Sequence, residues 1–125
     1  MEKKRILVVD DEVGFTNLVK LNLERTGNFD VRVENSGIRA VETAREFKPD
    51  LILLDIVMPD KDGGEVLADL QKEPSMKNVF VIFITATLSI KGVEAHDGVI
   101  RGIPVLAKPL EPKKLIKRIN QLLDL

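Results

Sequence analysis

The 125 residues carry 19 Lys and Arg against 20 Asp and Glu, a net charge of −1, and no cysteine. That balance gives no electrostatic footprint for direct nucleic-acid contact, and the missing cysteines exclude disulfides and thiolate metal sites. Apolar residues make up 44% of the chain, which is enough to bury a core in one domain spanning 1–125.

The opening Met1-Glu2-Lys3-Lys4-Arg5 is charged, and the apolar run that follows has only four residues. This is too short for a signal-peptide core or a membrane span, so a cytoplasmic protein with no membrane contact is expected. Ile6-Leu7-Val8-Val9 reads as a strand over 5–9, closed by Asp10 and Asp11. An amphipathic stretch predicts a helix over 13–26, with Gly27 as its stop. Phe29-Asp30-Val31-Arg32-Val33 alternates and therefore predicts a strand with one wet face, at an edge of a sheet. A second helix is expected over 36–47, burying Ala40, Val41, Ala44 and Phe47.

Leu51-Ile52-Leu53-Leu54 is apolar throughout, as a strand covered on both faces should be, and Asp55 closes it. Pro59 and Gly63 bracket Asp60-Lys61-Asp62, read as a solvated polar loop, with Met58 as packing. A helix over 64–73 precedes a second buried strand over 79–84, followed by Thr85-Ala86. The stretch 88–98 predicts a short helix weakened by Gly92 and Gly98, each costing about 1 kcal/mol against Ala in a helix interior. His96 in that stretch reads as a surface residue. Ile103-Pro104-Val105-Leu106 predicts an edge strand, since proline cannot donate to a ladder. The final helix, 112–124, places Leu115, Ile116, Ile119, Leu122 and Leu123 on one stripe.

This alternation predicts an α/β fold with a parallel sheet covered by helices on both faces. The burial of the individual strands sets their order. Strands 2 and 5 belong at the edges and 1, 3 and 4 inside, which gives 2-1-3-4-5, the flavodoxin-like doubly wound arrangement with five strands and five helices. In such sheets ligands bind at the carboxyl edge, where Asp10, Asp11, Asp55, Thr85 and Lys108 should meet. Converging carboxylates repel unless something positive neutralises them, and hard oxygen ligands of this kind suit magnesium. Asp11 and Asp55 with one backbone carbonyl can supply the protein's share. A carboxylate can also attack phosphorus, with the metal and Lys108 neutralising charge on the transferred oxygens.

The ordered set Val9-Asp10-Asp11-Glu12, Leu54-Asp55-Ile56-Val57-Met58-Pro59, Gly63, Thr85-Ala86 and Lys108-Pro109-Leu110 resembles the receiver domain of the two-component response-regulator family. The resemblance spans essentially the whole chain. It implies that Asp55 accepts phosphate from the phosphohistidine of a sensor histidine kinase or phosphotransfer protein. It further implies that Asp10, Asp11 and Asp55, with the backbone carbonyl of Val57, hold Mg2+, and that Thr85 and Lys108 bind the phosphoryl group. A cis bond between Lys108 and Pro109 is implied as well. Output would pass to a downstream effector protein or an output domain, and a phosphorylation-dependent homodimer is compatible with the pattern. Such a chain is a phosphoacceptor switch, not a turnover enzyme.

One departure from the family pattern concerns the relay of the signal. The family usually carries an aromatic residue three positions before the lysine, where this chain has Val105. Valine has no ring to rotate and is stiff at χ1, so output is expected through the 86–102 segment. Val57, two residues past the acceptor, cannot orient an attacking water, which points to a long-lived phosphoform. Asp-Asp after a strand could alternatively serve as a helix cap through Asp11 or Glu12, but the third carboxylate at Asp55 is not explained by capping. A receiver-like interaction module working without phosphorylation is the main rival. A flavin protein of this fold would need a loop of donors after the first strand, where the acidic Asp10-Asp11-Glu12 stands instead. An aspartate-nucleophile phosphatase would need an acid at position 57, which valine does not supply.

Overall fold

The computed structural model describes residues 2–86 and 99–125. Along the chain these form β1 (Lys4–Val9), α1 (Val13–Glu24), β2 (Phe29–Glu34), α2 (Ala40–Phe47), β3 (Leu51–Asp55), α3 (Gly63–Gln71), a 3-10 turn (Pro74–Met76), β4 (Phe80–Thr85), β5 (Val99–Ile100), β6 (Ile103–Ala107) and α4 (Pro112–Leu123). The expected helix over 88–98, and His96 with it, lies outside the described residues.

The strand order is β2-β1-β3-β4-β6-β5. The first five positions reproduce the expected 2-1-3-4-5 order, with every neighbouring pair among them parallel. The sixth strand was not expected. Val99 and Ile100 pair antiparallel with Pro104 and Ile103, so the first residues of β6 are not the sheet's outermost edge. The intervening Arg101-Gly102 has φ of 52° and 79°. Two consecutive positive φ values are what a tight two-residue hairpin with native twist demands.

The pleat divides the sheet's side chains between two cores. Leu7, Val9, Ile52, Leu54, Phe83 and Val105 meet α2 and α3 on one face. Ile6, Val8, Leu51, Leu53, Ile82 and Ile84 meet α1 and α4 on the other. Strands β1 and β3 are therefore apolar at consecutive positions because both faces are covered. The final helix behaves as its stripe requires, with Leu115 and Ile119 buried and Ile116, Leu122 and Leu123 packed against them.

Several helix boundaries differ from expectation, with α1 ending at Glu24 and α3 at Gln71, two residues early in each case. α2 starts at Ala40 rather than 36, and in the turn before it the N–H groups of Gly37 and Ile38 donate to the Asp60 carboxylate. In the same helix the polar Thr43 is buried, its hydroxyl donating to Glu34 Oε1 at 2.6 Å, while Val41 is only partly covered. α3 starts at Gly63, capped by Asp62, whose side chain accepts from the Glu65 N–H. α1 ends before Gly27, which takes φ 79°, as a helix stop does.

Candidate functional site

Strand register brings the chemistry together. Val9 pairs with Leu54, Asp55 with Ile84 and Thr85 with Ala107. The residues at and just past these ends, Asp10, Asp11, Asp55, Thr85 and Lys108, therefore share the carboxyl edge, as the apolar runs imply. Asp10, Asp55 and Thr85 are buried and Asp11 is exposed. One carboxylate oxygen from each of Asp10, Asp11 and Asp55 lies within 4.8 Å of the others.

Each side chain is held by its own loop. Asp10 Oδ1 accepts from the Glu12 N–H at 2.9 Å. The N-cap position of α1 is Glu12, whose side chain makes no capping hydrogen bond, and Asp10 holds the N–H of that residue just before the helix. Asn35 reaches over from the turn after β2 and donates to the Asp10 carbonyl at 2.8 Å and to the buried Thr16 hydroxyl at 3.0 Å. Asp55 Oδ1 accepts from the Val57 N–H at 3.3 Å. The Lys108 N–H donates to the Thr85 carbonyl at 2.8 Å, and the Lys108-Pro109 bond is cis, as the resemblance implies.

Lys108 enters the cluster as its counter-charge. Its Nζ is 2.7 Å from Asp10 Oδ2, pairs with Glu12, and lies 4.4 Å from the centre of the Phe15 ring. Desolvation pulls the lysine's pKa down, but contacts with Asp10 and Glu12 outweigh it and hold the ammonium above its ordinary value. Asp10 Oδ2 is fully buried, with the Lys108 ammonium as its neighbour. Burial pushes the Asp55 carboxyl up from 3.8 to about 6, with the Asp10 charge adding to it and Lys108 opposing it. Three carboxylates converging within 4.8 Å, two of them buried, fit a hard divalent cation held through oxygen.

Gly63 has a packing role that its place in the motif does not reveal. A Cβ there would lie 2.4 Å from the Asp55 carbonyl oxygen, and its N–H donates to Ile56 at 2.8 Å. Asn35, Thr16, Phe15 and Asp60 all support this region and none stands out in the sequence. Each is an ordinary residue whose role depends on a partner far away along the chain. The Asp60-Lys61-Asp62 loop is not simply solvated. Asp60 accepts from Ser36, Gly37 and Ile38, Lys61 pairs with Asp69, and Asp62 caps α3. Met58 is buried, as expected.

Residues 6–120 match the profile of the response regulator receiver domain. The chain belongs to that family. This receiver is 36% identical over 125 residues to the alkaline phosphatase synthesis transcriptional regulatory protein PhoP of Bacillus subtilis, covering 96% of the chain and 48% of that protein. It is 32% identical over 120 residues to the DNA-binding dual master transcriptional regulator RpaA of Synechocystis, covering 95% and 48%. The receiver thus spans about half the length of these relatives. Among solved structures, a CheY-like response regulator receiver domain protein from Methanospirillum hungatei superposes with a TM-score of 0.83 at 27% identity, covering 98% of this chain and 95% of that one. The Vibrio cholerae chemotaxis protein CheY4 gives 0.83 at 23% identity over 97% and 99%, a likeness of fold.

Proposed function

We propose that this receiver accepts a phosphoryl group on Asp55 in a magnesium-dependent transfer from a phosphohistidine of a sensor kinase or phosphotransfer protein. The observation that carries the reading is the convergence of Asp10, Asp11 and Asp55 within 4.8 Å beside the Lys108 ammonium. A carboxylate oxygen of Asp55 forms the bond to phosphorus while the bond from phosphorus to the donor's imidazole nitrogen breaks and its electron pair returns to the ring. Asp10, Asp11, Asp55 and the Val57 carbonyl would hold Mg2+, which supplies charge neutralisation for the phosphoryl oxygens. Lys108 supplies a second, compact positive charge, and the Thr85 hydroxyl a donor to the transferred group. The phosphoryl group stays covalently on Asp55 after transfer, so the chain serves as an acceptor and not as a turnover enzyme.

The output would pass to a downstream effector or an output domain, since relatives twice this length are named as transcriptional regulators. Among the described residues no helix is long and apolar enough to cross a membrane. The one feature favouring the interaction-module reading is Val105, buried in β6 where the family places an aromatic. Incubation with magnesium and a small acyl-phosphate donor separates the two readings by intact mass. A single phosphoryl adduct that disappears in Asp55→Ala is expected. No adduct, with the donor or with a cognate kinase, would leave the interaction module standing.

A further inference from the structure

The turn after β2 touches both loops of the acidic cluster. On one side, Asn35 donates to the Asp10 carbonyl and the Asp10 N–H donates to Glu34 at 3.1 Å. On the other, three consecutive residues of the same turn converge on Asp60, five positions past Asp55. The Ser36 hydroxyl donates to Asp60 Oδ2 at 2.8 Å, the Ile38 N–H to the same oxygen at 3.2 Å, and the Gly37 N–H to Oδ1 at 3.2 Å. Gly37 is buried beneath the loop, and a Cβ on it would sit 2.5 Å from the Lys61 carbonyl oxygen. Only a glycine lets the two backbones approach so closely.

Within 55–63 the Met58 side chain is buried and Lys61 pairs with Asp69, while Asp60 makes the hydrogen bonds to the turn after β2. The Val57 side chain is 70% exposed, and the Val57 N–H makes a long 3.3 Å contact with Asp55. Gly63 and Asp62 anchor only the far end. A charged acceptor taking three donors is a specific tie between two loops. The Ser36 hydroxyl and the Ile38 and Gly37 N–H groups hold the Asp60 carboxyl below its ordinary value, in keeping with an ionised acceptor.

We infer that Asp60 is a positioning residue for the metal site. Through Ser36, Gly37 and Ile38 it ties the Asp55–Gly63 loop to the turn that already holds Asp10, setting the distance between the two ligand-bearing loops before a cation arrives. This rests on the reading of Asp10, Asp11, Asp55 and the Val57 carbonyl as magnesium ligands. Removing the tie should cost affinity for the cation rather than the ability to accept phosphate once the site is filled.

The test is Mg2+ titration by calorimetry of the full chain, with the magnesium dependence of labelling by a small acyl-phosphate donor measured alongside. Asp60→Ala is expected to weaken Mg2+ binding about tenfold, the range for loss of a residue that orients ligands. The magnesium concentration for half-maximal labelling should rise by the same factor, with the rate at saturating magnesium within about twofold of the parent. Ser36→Ala, which leaves the charge unchanged, should lose part of that affinity, and the double variant should lose less than the sum of the two. Unchanged affinity in Asp60→Ala would overturn the inference. So would a loss in Asp60→Ala with none in Ser36→Ala, since that assigns the effect to net charge. A parent protein that neither binds Mg2+ nor is labelled would instead sink the underlying reading of the site.

Discussion

At the scale of single residues, Asp55 carries the central conflict. It is 4% exposed and faces Asp10, and its acid rises to about 6. The folded state therefore binds this proton more tightly than the unfolded chain does. The contribution to stability is fully present below the ordinary value of 3.8 and is lost as pH climbs through about 6. At 1.36 kcal/mol per unit the ionised carboxylate destabilises the metal-free fold by up to about 3 kcal/mol at neutral pH. Asp55→Asn, measured by denaturant unfolding in magnesium-free buffer, should accordingly be more stable than the parent at pH 7 by about 1–3 kcal/mol, with the gap closing toward pH 4. A less stable Asn variant at pH 7 would mean that contacts of the ionised group outweigh its burial. Val57 makes a second claim at this scale. Its exposed apolar side chain sits at the mouth of the site and cannot orient water. Val57→Asn should shorten the lifetime of the phosphoform by about tenfold, equivalent to ~1.4 kcal/mol of barrier; an unchanged decay rate would remove the role assigned to it.

At the scale of elements, β1, β3 and β4 were legible because both-face burial leaves an uninterrupted apolar run ending at a candidate site residue, and β2 and β6 because alternation and proline mark edge strands. Asp10, Asp55 and Thr85 follow or close such runs, so their convergence could be read before any coordinates. The two-residue β5 was not legible. Val99-Ile100 is too short to show a period, and its turn carries Arg101 at φ 52°, a residue that announces nothing. The start of α2 was misplaced for a different reason. Residues 36–38 form a turn bound to Asp60, twenty-two residues past Ile38, and no local pattern encodes that distance. Asn35 and Phe15 escaped notice on the same ground. The hairpin gives its own check. Arg101→Asn relieves a left-handed strain that Asn tolerates and creates the favoured Asn-Gly turn, so it should raise the unfolding free energy by about 0.5–1 kcal/mol. A loss of stability would mean that the arginine side chain makes up for its own strain.

At the scale of the whole molecule, the sheet divides two hydrophobic cores and leaves its chemistry at one edge. The apolar interior fixes strand register, and register together with the loop contacts sets three carboxylates and a lysine within reach of one another. The repulsion among those carboxylates is tolerated in the fold because Lys108, and a cation when bound, answer it. Val105 in β6 removes the ring through which the family usually relays the change, so reception of the signal is better defined by this architecture than its relay. Reception is also what one measurement tests most directly. After labelling with magnesium and an acyl-phosphate donor, borohydride reduces an aspartyl phosphate to homoserine, and peptide mass spectrometry locates it. Homoserine at position 55, formed only in the presence of magnesium, is the expected result. Conversion at any other acidic residue, or equal labelling without magnesium, would contradict the account.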